Sequence, residues 1–259
     1  MKKVILLILI CLLCRNMQAQ SQFYDTGARI TDTATTMIMV GANFSTLFPF
    51  GMMRDTFKLN LNFGGLLMLK TKTNWTFDLN FNYFFASDVR NPNNILSNLV
   101  DKNGAIIDGY GLKSTIYMEG RFWHLGFGVG KIIAFDQWRN SGLWLRYDFG
   151  YFEHKIRIKE PEDALPQILG DYLKGYDQKS GGFCMSQFIG YLFMRKNRVA
   201  NFYVGIEIYE MWTKPLRNYI FNVGPTDGIK PAFSCMLGGK VGWFIPVYEK
   251  KRTTDYYLY

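Results

Sequence analysis

The stretch NWTFDLNFNYFF, Asn74 to Phe85, places Trp75, Phe77, Leu79, Phe81 and Tyr83 at alternate positions and fills the gaps with Thr76, Asp78, Asn80 and Asn82. Successive side chains of a β-strand point to opposite faces, so this segment reads as a strand with one apolar and one polar face. The same period recurs in Phe57–Phe63, Leu143–Tyr151, Phe202–Ile208 and Leu237–Ile245. Strand candidates run over 36–46, 56–70, 74–87, 119–134, 142–158, 183–194, 199–213 and 231–247, eight in all. No low-complexity linker separates them. The expectation is a single all-β domain over 36–247.

Alternation alone leaves the direction of the two faces open. A small soluble barrel of the lipocalin kind turns its apolar rows inward, whereas a barrel in an outer membrane turns them toward lipid. Bulk favours the second. Eight strands enclose a space that side chains just fill. Phe, Tyr, Trp and Leu repeated on nearly every strand would overfill that space, while Gly126, Gly128, Gly130, Gly205, Gly238 and Gly242 on the opposite parity leave room. Asp78 is therefore expected in the lumen, with Lys58 on the same parity nearer the outer mouth and Phe57 on the lipid face.

The links between strands alternate in length. TKT after Lys70, FDQWRNS after Ala134 and RKNR after Met194 are short, whereas the links near 88–118 and 159–182 are long. With an even strand count, this is the pattern of an eight-stranded antiparallel up-and-down transmembrane β-barrel with short periplasmic turns and long outer loops. Lys70, Lys72, Arg195, Lys196 and Arg198 then read as solvated turn charges, and the basic balance is no nucleic-acid signal.

The chain opens with MKK, an apolar run Val4 to Cys14 and the polar RNMQAQSQ, the form of a secretory signal peptide ending near Ala19. That run is shorter than the roughly 17–25 residues of a spanning helix. Cys11 and Cys14 each follow a large residue, which argues against lipidation. Residues 1–19 hold Lys2, Lys3 and Arg15 and no acid, so their removal takes the formal charge from +9 to +6. Residues 20–35 would form a periplasmic N-terminal segment and 248–259 a periplasmic C-terminal tail. Outer-membrane localisation, lipid as the surrounding partner and both termini in the periplasm follow from this reading.

Counting from the turns, Asp78, Arg146, Asp148, Glu207 and Lys240 fall in the lower to middle lumen. Lys240 and Glu207 lie one diagonal step apart on partner strands. Two bases and three acids at one level read as a compensated network filling the barrel, with an ion path as the functional alternative. An enzyme at the rim would need a nucleophile, a base and an orienting group together. The chain has two His. His154 sits near the outer end of the fifth strand and His124 reads as a lumen or rim hydrogen-bonding residue. Ser180, Ser186 and Ser234 also fall near outer strand ends, but nothing in the sequence places one beside a His. No catalytic residue, metal cluster or cofactor site is assigned. Cys184 and Cys235 lie on next-but-one strands, about 10 Å apart, beyond disulfide reach. FGVGK and LGGKVG lack the spacing of a phosphate loop.

The QAQ end of the leader, the segment FPFGMMRDTFKLNLNFGG with KTKTNWTFDLNFNYFF, and the final GGKVGWFIPVY with its basic-aromatic tail resemble small outer-membrane β-barrel proteins of Bacteroidota-type bacteria. The resemblance implies a structural or assembly role, such as that of accessory barrels of type IX secretion and gliding machinery, and brings no catalytic residues. It predicts envelope protein partners. Two segments are candidates for binding them. EPEDALPQILGDYLKGY has helical spacing and predicts a short helix over 161–174, with Ile168 and Leu173 on an apolar side that either caps the barrel or docks a partner. The tail offers Tyr256, Tyr257, Leu258 and Tyr259 as aromatic anchors. A small pore or ligand-binding barrel and a rim-located lipid-modifying enzyme are the alternative functions.

Overall fold

A computed structural model describes residues 34, 36–87, 89–101, 104–135, 140–161, 165–194 and 201–247. Eight long antiparallel strands form a closed barrel in the order β1-β10-β7-β6-β5-β4-β3-β2. They are β1 (Met37–Gly51), β2 (Asn60–Lys70), β3 (Trp75–Ala86), β4 (Tyr117–Ala134), β5 (Gly142–Lys159), β6 (Ser180–Phe193), β7 (Asn201–Pro215) and β10 (Ala232–Val247). β8 (Tyr219–Ile220) and β9 (Gly224–Pro225) form a separate ladder in the link before β10. Each barrel strand pairs with its neighbour in sequence, and β1 with β10 closes the ring from Ile38 opposite Val247 to Gly51 opposite Ser234. The meander is up-and-down, as its alternating link lengths require. At one rim β2 turns into β3 through Thr71–Asn74, where Asn74 adopts φ 63°, a left-handed conformation that Asn tolerates. The long links, 52–59, 87–116, 160–179 and 216–231, gather at the other rim.

The faces sort as the bulk argument requires. Asp78 is 2% exposed, while Leu79 beside it is 57% exposed. Outward rows of Trp75, Phe77, Leu79 and Phe81 on β3, Tyr147, Phe149 and Tyr151 on β5, and Phe202, Val204 and Ile206 on β7 cover the exterior. The outward row of β3 runs from Trp75 to Phe85. Its ten steps of roughly 3.4 Å, tilted by about 40°, span about 26 Å, close to the ~25 Å apolar band of outer-membrane barrels. Trp123, Tyr151, Phe183, Trp212 and Phe233 mark the long-loop edge of the band, and Trp75, Tyr191, Phe193 and Trp243 the short-turn edge.

The parity of Phe57 and Lys58 is the reverse of that expected. β2 begins only at Asn60, because Met52–Thr56 folds into one helical turn. Phe57 then bridges Val89 and packs edge-on to Phe122 at 4.7 Å, leaving Lys58 exposed. The helix expected over 161–174 is also absent among the described residues. Pro166–Ile168 and Tyr172–Gly175 form two 3-10 turns, separated by an extended Leu169 and by Gly170 at φ 55°. The apolar spacing is present, but an extended residue and a left-handed glycine interrupt the helix.

The inward face holds more than glycine and charge. Toward the long loops, Leu47, Phe57, Phe84, Phe122, Phe152, Tyr209, Met211 and Met236 belong to one apolar cluster. Toward the short turns, Trp144, Phe188, Tyr203 and Phe244 meet with ring centroids 5.0 to 6.0 Å apart. Glycines on the same face make these rings fit. A Cβ at Gly205 would lie 2.7 Å from the Phe188 ring, and one at Gly242 2.3 Å from Tyr203. Large and small side chains thus alternate across a narrow barrel.

Candidate functional site

Between the two apolar layers lies the charged layer. On β5 the inward order is Trp144, Arg146, Asp148, Gly150, Phe152, and on β10 it is Phe244, Gly242, Lys240, Gly238, Met236. Arg146 is the centre. Its Nε donates to Asp78 Oδ2 at 2.8 Å and its Nη2 to Asp78 Oδ1 at 2.7 Å, a two-pronged clamp, while Nη2 also reaches Asp148 Oδ2 at 3.0 Å. Lys240 Nζ donates to Glu207 Oε1 at 2.6 Å, and Arg146 Nη1 stands 3.9 Å from the same oxygen. All five side chains are 3% exposed or less. The structure therefore brings together every residue expected in the lumen network, including the diagonal pair Glu207 and Lys240.

Two further residues join the layer, His124, expected as a lumen or rim hydrogen-bonding residue, and Asn80, for which no role is expected. His124 Nε2 lies 3.1 Å from Asp148 Oδ1, fully buried and edge-on to Tyr209. Asn80 donates to Asp148 Oδ2 and to the Gly126 carbonyl at 3.1 Å. Asn80 has the inward parity of Asp78, two residues away, and that signal could have found it. Glycines give the network its room. A Cβ at Gly128 would lie 2.5 Å from Asp78 Oδ2 and 2.7 Å from Arg146 Nε, and one at Gly126 2.4 Å from Asp148 Oδ1. Lys70 is a further correction, since it ends β2 on the inward parity and donates to Asn140 Oδ1 at 2.9 Å inside the barrel.

The long-loop rim is closed over. Leu165 and Ile168 enter the same apolar cluster as Phe84 and Phe122, and Leu173 packs against it half-buried. Ile168 is 4% exposed, which removes it from the surface a partner could touch and makes it part of a cap. Arg217 Nε donates to Asp177 Oδ1 at 3.0 Å, tying the link before β10 to the link before β6. Hydrogen bonding to Asp177 raises the Arg217 guanidinium above its ordinary value. Tyr256, Tyr257, Leu258 and Tyr259, the leader and residues 20–33 lie outside the described residues.

Among the described residues no hydrogen bond joins Ser180 to His154 at the rim. His154 lies directly opposite Ser180 across β5 and β6, a juxtaposition that the sequence did not reveal. The Ser180 hydroxyl donates instead to the Gln178 carbonyl at 3.2 Å, and the His154 ring sits 5.9 to 6.2 Å from Phe57, Phe122 and Phe152. Among the described residues no group of His, Cys, Asp and Glu could hold a metal ion. Cys184 and Cys235 are free thiols, the first facing the lumen and the second the exterior parity.

No protein-family model and no curated protein matches the chain. Among solved structures it is similar to Ail, the attachment invasion locus protein of Yersinia pestis, in complex with the heparin analogue sucrose octasulfate, at 7% identity and a TM-score of 0.42 over 82% of this chain and 99% of that one. Neisserial surface protein A is 9% identical with a TM-score of 0.43, over 80% of this chain and 96% of the other. A second crystal structure of Ail is 10% identical with a TM-score of 0.38 over 82% of this chain and 99% of that one. At these values the barrel assignment rests on the strand pairing of the chain itself.

Proposed function

We propose that the protein is a non-enzymatic outer-membrane β-barrel that serves as a subunit of a cell-envelope assembly. The observation that supports this most is the pairing of an apolar exterior with a filled interior. The outward rows leave Leu79, Ile189 and Ile206 57 to 59% exposed, which suits lipid and not water. The lumen is occupied by two apolar layers and an ion-paired layer between them, which speaks against a pore. The spent hydroxyl of Ser180 and the aromatic walls around His154 speak against a rim hydrolase.

What remains available for function is the loop rim. Ile107, Tyr110 and Leu112 on the link before β4, Tyr172 before β6, and Tyr219 and Val223 before β10 are exposed apolar side chains beyond the barrel strands. Such residues suit a protein partner better than bulk water. A place in type IX secretion or gliding machinery is the finer form of the proposal, and its support is the sequence resemblance alone. In this orientation the loops face outward, and the termini are periplasmic. The test is affinity purification from detergent-solubilised outer membrane, with mass spectrometry of what is retained. Recovery of a defined set of envelope proteins, lost from a Tyr110→Ser, Leu112→Ser variant, is expected. Recovery of the barrel alone under mild extraction would overturn the assembly reading, and conductance in planar bilayers would replace it with a pore.

A further inference from the structure

We infer that the outward face of β4 and β5, just beyond the aromatic edge of the apolar band, is a binding site for the phosphorylated headgroup of an outer-leaflet lipid of the lipid A class. The inference rests on the membrane reading above. On β5 the outward row passes from Phe149 and Tyr151 through Glu153 to Lys155, Arg157 and Lys159. On β4 the facing positions are Arg121 opposite Lys155, Glu119 opposite Arg157 and Tyr117 opposite Lys159. Four cations therefore face one carboxylate at the upper end of this ladder. The Glu119 carboxylate is taken by Arg121 and by Lys159 at 3.5 Å, and Glu153 is taken by Lys179 at 2.9 Å. Lys155 and Arg157 have no ion-pair partner among the described residues, and both are exposed.

The position names the ligand. Directly below the cations, Trp123 and Tyr151 pack at 5.4 Å, marking the depth where aromatic side chains meet lipid headgroups. A cation beyond that edge lies level with headgroup phosphates, and a guanidinium suits phosphate oxygens in particular. The ladder is local, not a ring around the barrel. At the corresponding edge β1 and β10 carry Phe48, Phe50 and Phe233 instead. Beside the ladder, Tyr117, Arg157, Lys159, Ile168, Leu169 and Leu173 line a cleft of about 570 Å³, which adds apolar walls next to the charges. Glu119 and Glu160 also line it, the latter accepting from Ser114 Oγ at 3.1 Å.

The test uses the full protein in zwitterionic detergent, with lipid A, enzymatically dephosphorylated lipid A and inorganic phosphate as probes, and occupancy read by native mass spectrometry. At about fivefold per exposed cation near an anionic surface, Lys155→Ser with Arg157→Ser should bind lipid A about thirtyfold more weakly. Dephosphorylated lipid A should bind the wild type as poorly, and Lys214→Ser on β7 should change nothing. Equal binding of both lipids, or equal binding by wild type and double variant, would overturn the site. Inorganic phosphate binding as tightly as lipid A would make it an anion site unrelated to lipid. Heat-modifiable migration and outer-membrane fractionation of the same variants separate the two readings: absence from that fraction defeats the membrane reading, whereas presence there without phosphate-dependent binding defeats only this inference.

Discussion

Replacing Arg146 with Met tests the centre of the lumen. The substitution keeps an unbranched chain and removes three charge-assisted hydrogen bonds, two to Asp78 and one to Asp148. It leaves Asp78, Asp148 and Glu207 buried with Lys240 on Glu207 and His124 beside Asp148. Removing one partner of a buried ion pair costs about 3–5 kcal/mol, because the other charge is stranded in a poorly polarisable interior. With a urea dependence of about 2 kcal/mol per molar, the unfolding midpoint should fall by about 2 M. The readout is unfolding from lipid vesicles, followed by heat-modifiable migration and by tryptophan emission, to which Trp144 in the adjoining layer contributes. Adding Asp78→Asn removes the stranded charge as well, so the double variant should regain at least half of the loss. A single variant within about 1 kcal/mol of wild type would refute the reasoning, since it would mean that water reaches these carboxylates. So would a double variant as unstable as the single one, because the loss would then come from packing and not from charge.

Gly128→Ala should cost about 1–3 kcal/mol in the same assay, because its methyl would press on Asp78 and Arg146, whereas Gly239→Ala, with nothing within 4 Å, should be neutral. Ile168→Asp should destabilise the barrel by about 3 kcal/mol or more, since it sets a carboxylate in the apolar cap; a stable barrel that merely loses partners would return Ile168 to the docking reading. Glu210 has the outward parity of β7, between Ile208 and Trp212, so Glu210→Leu should leave insertion unchanged or improve it, and impaired insertion would point to a polar partner at that face. A tag at exposed Asn93 should be labelled on intact cells and one at Lys196 only after the outer membrane is opened, with the reverse pattern inverting the topology. Deleting Thr253–Tyr259 should leave abundance normal and reduce partner recovery; lost insertion would mark the tail as an insertion signal.

The barrel was legible because its evidence is local and repeated. Each strand states its own two faces, and the link lengths state the meander, so the strands at 74–87 and 142–158 needed only one or two residues of adjustment. The charge network followed from parity and depth, which fix where Asp78 and Arg146 point. What escaped depended on exceptions to period two. Phe57 left the lipid face because a helical turn precedes β2, and no alternation pattern records a helical turn. Lys70 reads as a turn residue from its place at a strand end, yet parity turns it inward. The capping segment kept its apolar spacing while losing its helix, because burial of Leu165 and Ile168 requires only that they reach the core and not that the backbone between them be regular. His124 and Asn80 share the inward face, which parity in the sequence does show, but their meeting with Asp148 depends on the register of β3, β4 and β5, which the sequence does not state.

The place of Lys240 gives the ion pairs a role in time as well as in space. Lys240 is on β10, the last strand to emerge, which must be laid between β7 and β1 to close the ring. Before that, Glu207 has Arg146 at 3.9 Å, and that guanidinium is already shared by Asp78 and Asp148. Until the closing strand arrives, Glu207 thus lacks its nearest cation. A closing strand shifted by one residue would turn Lys240 to hydrocarbon, at about 2–4 kcal/mol, and leave Glu207 without its cation. The salt bridge therefore works as a register check between β7 and β10, penalising a one-residue slip of the strand that goes on to close the ring against β1.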